Sequence, residues 1–178
     1  MGEAALMAPT KLSFEEFLAL EEHSDVKHEF VDGNVYAMAG ASTTHNIVAL
    51  NIAGQLWAHL RGKPCRPFIG DMLLKLRVAV SDRGYYPDVV VSCDPTDRHP
   101  RYLSNPTVIF EVLSASTERT DRREKLDAYR TLPNLQAYVL VSQTAPALQV
   151  HLRENDWQAL QLGPDDTFRL AALGFETT

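Results

Sequence analysis

Two carboxylates stand where buried strands should be apolar. Tyr85-Tyr86-Pro87-Asp88-Val89-Val90-Val91 and Val108-Ile109-Phe110-Glu111-Val112-Leu113-Ser114 are rich in β-branched and aromatic residues, as buried strands are. Each carries one acid, Asp88 or Glu111. Burying a carboxylate is costly unless a cation or hydrogen-bond donors meet it. On neighbouring strands of one sheet the two acids would share a cation, and hard oxygen ligands with room for water suit Mg²⁺ or Mn²⁺. Such an ion polarises a phosphoryl oxygen and makes bound water a better nucleophile. The backbone carbonyl of Val112 would complete the protein's share of ligands. The competing reading is structural: Asp88 opens a strand after Pro87 and Glu111 pairs with a surface arginine.

The elements that must position these acids follow from patterning. Ser13-Phe14-Glu15-Glu16 has the form of a capping box and opens a short helix through about Glu22. Asp32-Gly33 between two apolar runs signals a hairpin. A second helix is predicted from about His45 to Leu60, with Gly62 suited to its C-terminal cap. The alternation from Phe68 to Val80 reads as one strand, and Ser81-Asp82-Arg83-Gly84 as a turn into the Asp88 strand. Asp94 to Pro106 reads as a loop. Thr120 to Leu132 is an amphipathic helix stopped by Pro133, and Ala137 to Val141 is a further buried strand. Leu148–Leu152, Trp157–Leu162 and Phe168–Leu173 alternate as an antiparallel meander.

The whole chain constrains the class. With 178 residues, 45% of them hydrophobic and 22% charged, it fits one globular domain, residues 1–178. A net charge of −6 gives no global attraction to nucleic acid, so any such binding needs a local basic patch. The densest basic run is Arg119, Arg122, Arg123, Lys125 and Arg130. It is a candidate phosphate track, although its interleaved acids also describe a solvated helix face. Cys65 and Cys93 suggest neither a disulfide framework nor a zinc site. With no basic leader and no membrane-length apolar run, the expectation is a reduced, cytoplasmic protein with no membrane partner.

The ordered motifs resemble the PD-(D/E)XK nuclease superfamily and, more narrowly, the Uma-two family of restriction endonucleases. The matching residues are His28-Glu29-Phe30-Val31-Asp32-Gly33, His45, Tyr86-Pro87-Asp88-Val89-Val90-Val91, and Phe110-Glu111-Val112-Leu113-Ser114 with Ser116-Thr117. Asp121, Lys125 and Tyr129 follow at helical spacing. The resemblance implies an α/β fold (a mixed α+β sheet). It would have a restriction-endonuclease-like αβββαβ core, an N-terminal helix and hairpin, and a C-terminal antiparallel extension. It also implies Mg²⁺- or Mn²⁺-dependent hydrolysis of DNA phosphodiester bonds. Asp88 and Glu111 match the two signature acids, and with Val112 they would be the metal ligands. Leu113 stands where the signature lysine belongs. Lys125, on the following helix, is the expected replacement, with Lys75 second. Glu29 matches a further upstream acid.

Helical spacing puts residues 121, 125, 129 and 132 on one inward face, which directs Lys125 toward Glu111. Lys125→Met is accordingly expected to abolish cleavage with the fold largely intact. His45 is either a phosphate contact and base or a structural hydrogen-bonder. Tyr85 and Tyr86 either stack on bases or fill the core. DNA is the expected partner and a homodimer the expected assembly, because two strands need two cuts. Two other classes remain: a weakly active or inactive nucleic-acid-binding protein of the same fold, possibly mobile-element-associated, and an unrelated interaction protein.

Overall fold

The computed structural model describes residues 11–114 and 118–178, with Arg119 by its backbone alone. The N-terminal segment, Ser116, Thr117 and the Arg119 side chain, all used in the sequence reading, lie outside the described residues. Helix α1 (Phe14–His23) carries the full capping box, the Ser13 side chain accepting from Glu16 N and Glu16 accepting from Ser13 N. Strands β1 (His28–Val31) and β2 (Asn34–Ala37) form the expected hairpin. Asp32 and Gly33 both have positive φ, at 51° and 86°, the geometry a two-residue hairpin turn requires. Helix α2 (Thr43–Leu60) is capped by Ser42 and followed by Gly62 at φ 75°. It contains no Asp, Glu, Lys or Arg.

The next stretch differs from the sequence reading. The strand expected over Phe68 to Val80 is two strands, β3 (Arg66–Ile69) and β4 (Leu73–Val78), because the chain turns at Gly70-Asp71. Ser81–Gly84 is not a turn but most of β5 (Ser81–Tyr85), paired antiparallel with β4. The turn between them is Ala79-Val80, with Ala79 at φ 54°, a conformation its residue type does not advertise. Gly84 is needed for close approach: a Cβ there would lie 3.2 Å from the Phe14 and Phe17 rings.

Pro87 then breaks the run, and β6 (Val89–Ser92) begins in a different sheet. Two-residue β7 (Tyr102–Leu103) lies inside the segment read as a loop. Strand β8 (Val108–Leu113) follows, and then helix α3, residues 118–129, whose middle, Asp121–Lys125, is a π-helical turn. Strand β9 (Ala137–Ser142) returns parallel to β8, which requires a crossover such as α3. Strands β10 (Leu148–Leu152) and β11 (Ala159–Leu162) continue the meander. Strand β12 (Phe168–Leu170) leaves it and pairs with β13 (Phe175–Thr177) instead.

Two mixed sheets result, β2-β1-β5-β4-β7 and β11-β10-β9-β8-β6-β3. The outer face of the first carries α1, through Phe14, Phe17, Phe30 and Leu73. The outer face of the second carries α2 and the β12–β13 pair, through Leu56, Phe110, Val139 and Phe168. Between the sheets lies a middle layer in which Leu74, Tyr85, Ile109, Tyr129 and Leu140 are all buried. This is the mixed α+β, restriction-endonuclease-like architecture with its antiparallel C-terminal extension. Among the described residues no helix is long and apolar enough to cross a membrane.

The cysteines overturn one expectation, because Cys65 and Cys93 form a disulfide with Cα atoms 4.0 Å apart. Their 28-residue separation gives no hint of this. The β3–β6 register, Arg66 opposite Ser92, puts the two residues beside each other across the strand ends. By loop entropy a bridge of this 28-residue span contributes roughly 3–4 kcal/mol. Unreduced protein should therefore give no reactive thiol, and reductant should lower its melting temperature. Two titratable thiols and a reductant-independent melt would contradict the bridge.

Candidate active site

The acids gather in the middle layer. Strand alternation decides which side chains enter it, because successive residues point to opposite faces. On β8, Ile109 and Leu113 pack in this layer, so Glu111 between them faces the same way. Phe110 and Val112 face α2. On β1, Phe30 packs under α1 and Val31 packs toward the middle layer, which places Glu29 inward as well. The two sheets thus present one carboxylate each to the same interior.

Lys125 joins them. Its ammonium lies 2.9 Å from Glu29 Oε1, 3.2 Å from Glu111 Oε1 and 3.1 Å from Asp121 Oδ1. The residue is 4% exposed, as is Glu111, and Asp121 is 2% exposed. Tyr129 Oη donates to Glu111 Oε1 at 3.1 Å, and the Tyr85 ring lies 5.6 Å from the ammonium. Tyr138 Oη donates to the Asp121 carbonyl at 3.0 Å, a support for the π-helical turn. Such turns are frequent where a helix must aim side chains at a site.

Asp88 sits just before β6, at the junction of the two sheets. Val112 N donates to its Oδ2 at 2.6 Å, and His45 Nε2 lies 3.2 Å from the same oxygen. β6 pairs antiparallel with β8, Val89 opposite Phe110, so Asp88 and Glu111 are the next positions along that register. Burial raises the Asp88 carboxyl above its ordinary value; the Val112 N–H, His45 and Lys125 oppose the rise. Burial also pushes Glu111 well up against the pull of Lys125, with Asp121, Asp88 and Glu29 adding to the rise. For Lys125, burial disfavours the charge, but Glu111, Glu29 and Asp121 outweigh it and hold the ammonium well above its usual range.

Not every expected residue is here. Lys75 lies on the face of β4 that looks toward α1: its ammonium is 4.2 Å from the Phe14 ring centre and 3.8 Å from Asp82. Leu74 and Leu76, not Lys75, face the middle layer. Tyr85 and Tyr86 are buried, which is the core reading. His28 Nδ1 is 2.6 Å from Glu21, which also accepts from Tyr86 Oη, so two motif residues hold α1 to the sheet. The basic run is largely spoken for: Arg122 pairs with Glu118, Arg130 with Asp127, and Lys125 is inside. Tyr129, placed by helical spacing on the face of Lys125 and given no role of its own in the sequence, reaches Glu111 with its hydroxyl.

Four carboxylates (Glu29, Asp88, Glu111 and Asp121) therefore surround one lysine, with His45 at the edge. Asp121 Oδ1 is buried and has no hydrogen-bond partner beyond the lysine's charge. Among the described residues no three His, Cys, Asp or Glu side chains form a ready cage. Excess negative charge with only two acids on adjacent strand positions fits a cation that keeps its waters, as Mg²⁺ does with one or two carboxylates.

Two outcomes follow. Asp88 and Glu111 have raised values, so their stabilising contribution is full below the ordinary carboxylate range, near 3.8 and 4.5. It is lost as pH rises through the raised values. The melting temperature in EDTA should accordingly fall as pH climbs above that range, and Glu111→Gln should flatten the slope. A wild-type slope of opposite sign, or one unchanged by Glu111→Gln, would refute this. Lys125→Met, in turn, leaves the buried Glu111 and Asp121 and the half-buried Glu29 without their cation and should cost about 3–5 kcal/mol, measured by denaturant unfolding. An unaltered unfolding midpoint would instead match the expectation of an intact fold.

Comparison with known proteins points the same way. A family model described as "Putative restriction endonuclease", Uma2, matches residues 14–178. Two Synechocystis sp. proteins are similar along most of the chain. "Uncharacterized protein slr1290" is 37% identical over 167 residues, covering 92% of this chain and 87% of its own. "Uncharacterized protein sll1609" is 35% identical over 159 residues, covering 87% and 89%. The crystal structure of "a putative nuclease belonging to DUF820" from Anabaena variabilis superposes with a TM-score of 0.74 at 13% identity. It covers 92% of this chain and 91% of that one, a likeness of fold.

Proposed function

Since the chain belongs to the Uma2 family of restriction-endonuclease-like proteins, we propose that it is a metal-dependent endodeoxyribonuclease. The observation that carries this reading is the buried Lys125 ammonium within 3.2 Å of Glu29, Glu111 and Asp121, with Asp88 just before β6, next along the register of β8. Asp88, Glu111 and the Val112 carbonyl would hold Mg²⁺ or Mn²⁺. When bound, such an ion supplies Lewis-acid polarisation of a phosphoryl oxygen and a more acidic water.

The chain's own groups do the rest. Lys125 places a fixed positive charge where negative charge grows on the phosphate, in a dry site where electrostatics counts most. Glu29 and Asp121 keep that ammonium charged and aimed. Tyr129 fixes Glu111 Oε1, and the Val112 N–H fixes Asp88, so neither acid must reorganise during reaction. His45, at the start of α2 and touching Asp88, stands where it can contact an incoming phosphate. Cutting both strands needs two such sites, which a two-fold homodimer supplies. We place the activity in the cytoplasm, where DNA is present and where the Cys65–Cys93 bridge is exposed to reduction.

A supercoiled plasmid incubated with Mg²⁺ or Mn²⁺ tests the reading. Wild type should nick it, Asp88→Asn and Glu111→Gln should fall to background, and Lys75→Ala should keep the wild-type rate. Equal nicking by wild type and Asp88→Asn would end the proposal. Oligonucleotide binding without turnover in any divalent metal would favour a binding protein of the same fold.

A further inference from the structure

A protein of net charge −6 that works on a polyanion must hold it locally, and Arg122, Lys125 and Arg130 of the basic run on α3 are engaged with neighbouring acids. Free basic charge lies elsewhere. At the C-terminal end of α2 a cavity of about 390 Å³ is lined by Trp57, Leu60, Arg61, Lys63, Arg66 and Pro67, among others. No acid lines it. Among the described residues Arg61, Lys63 and Arg66 form none of the ion pairs that occupy the arginines of α3, and all three are exposed. The Lys63 ammonium lies 2.8 Å from the His59 ring nitrogen. Beside them Trp57 is 63% exposed, a large aromatic with one face open.

We propose that this cavity is a second nucleic-acid contact that takes a single-stranded segment, one unpaired base stacking on Trp57 and the flanking phosphates lying on Arg61, Lys63 and Arg66. The chemistry is specific to that ligand class. Stacking on an exposed indole needs a base with a free face, and cations around it track the backbone. The apolar walls from Leu60 and Pro67 suit a base better than a bare phosphate. Helix α2 also links the two regions. His45, which touches Asp88, is separated from Leu60 by about 22 Å of helix, roughly six steps of a nucleic-acid strand at 3.4 Å each. A strand of about that length spans the distance along α2 between the acid cluster and the patch. The choice of a polymer rests on the nuclease reading; the base-and-phosphate chemistry does not.

The test uses wild-type protein in EDTA, so that no cleavage intervenes, with fluorescence anisotropy of a labelled oligo(dT) of about twelve nucleotides. The Arg61→Ala/Lys63→Ala/Arg66→Ala variant should bind about tenfold or more weakly, with its salt slope shallower by about 2, since each single-strand phosphate contact contributes about 0.7. Trp57→Ala should bind about fivefold or more weakly with the slope unchanged. Both substitutions lie on the surface, and thermal melts check that the fold is kept.

Wild-type affinity and slope in the triple variant would overturn the proposal. So would dTMP binding as tightly as the oligonucleotide, which would make this a mononucleotide pocket. A Trp57→Ala variant with unaltered affinity but a changed sedimentation mass would make it a self-association face instead. Plasmid nicking with unaltered binding in the patch variants removes this inference alone. Patch-dependent binding by a protein that never nicks removes the nuclease reading alone.

Discussion

Everything in the middle layer is arranged around one ammonium. Lys125 is 4% exposed and touches three carboxylates from three elements: Glu29 on β1, Glu111 on β8 and Asp121 one helical turn away. Apolar burial would hold the two sheets together without fixing their relative orientation so narrowly. A charge pair does fix it, because an ammonium displaced by an ångström or two leaves buried acids unmatched. The cluster is nonetheless an expensive way to join two sheets. Well-packed apolar residues of the same volume are often equally stable or more so. Its negative excess makes better sense as provision for a further cation than as cement.

The second constraint is the sheet switch at Pro87. Without Pro87, the run from Tyr85 to Val91 would continue as one strand, and Asp88 would be one more side chain on a single sheet. Proline cannot donate to a ladder, so β5 ends at Tyr85 and β6 starts at Val89 in the other sheet. Asp88 falls in the gap. There it is half-buried, reachable by His45 from α2 and by the Val112 N–H from β8. The same break lets Tyr85 point at Lys125 from one sheet while Val90 packs with Ile109 in the other.

Legibility in the sequence followed how local each signal was. The capping box at Ser13, the Asp32-Gly33 turn, the helix to Leu60 and the crossover between β8 and β9 all rest on neighbours a few residues apart, and they stand. The alternation of Leu74 and Leu76 against Lys75 was legible too, but which face looked at the acids was not; that depends on α1 covering the Lys75 side. Ser81 to Gly84 read as a turn because its residues are polar or small. Tertiary pairing with β4 and the Phe14–Phe17 contact over Gly84 override that preference. The Cys65–Cys93 bridge and the β12–β13 pair depend on register between distant strands, which composition does not encode.

The position of the lysine shows how such a site can be built twice over. On β8 the side chains of Ile109, Glu111 and Leu113 share a face. A lysine at 113 would therefore lie beside Glu111 on its own strand, which is why a signature spaced by two residues works. Leu113 instead closes the apolar middle layer, and the cation must come from another element. Regular α-helical geometry rises 1.5 Å per residue and turns through 100°; the π-helical turn at Asp121–Lys125 widens that spiral locally. Asp121 and Lys125, four residues apart on this turn, form one buried pair, while Ala128 and Tyr129 face the core. The Tyr138 hydroxyl caps the turn's first carbonyl from β9. The lysine on the helix is thus accompanied by a π-helical turn, by Tyr138 supporting that turn, and by a second acid, Asp121, that shares the ammonium with Glu111.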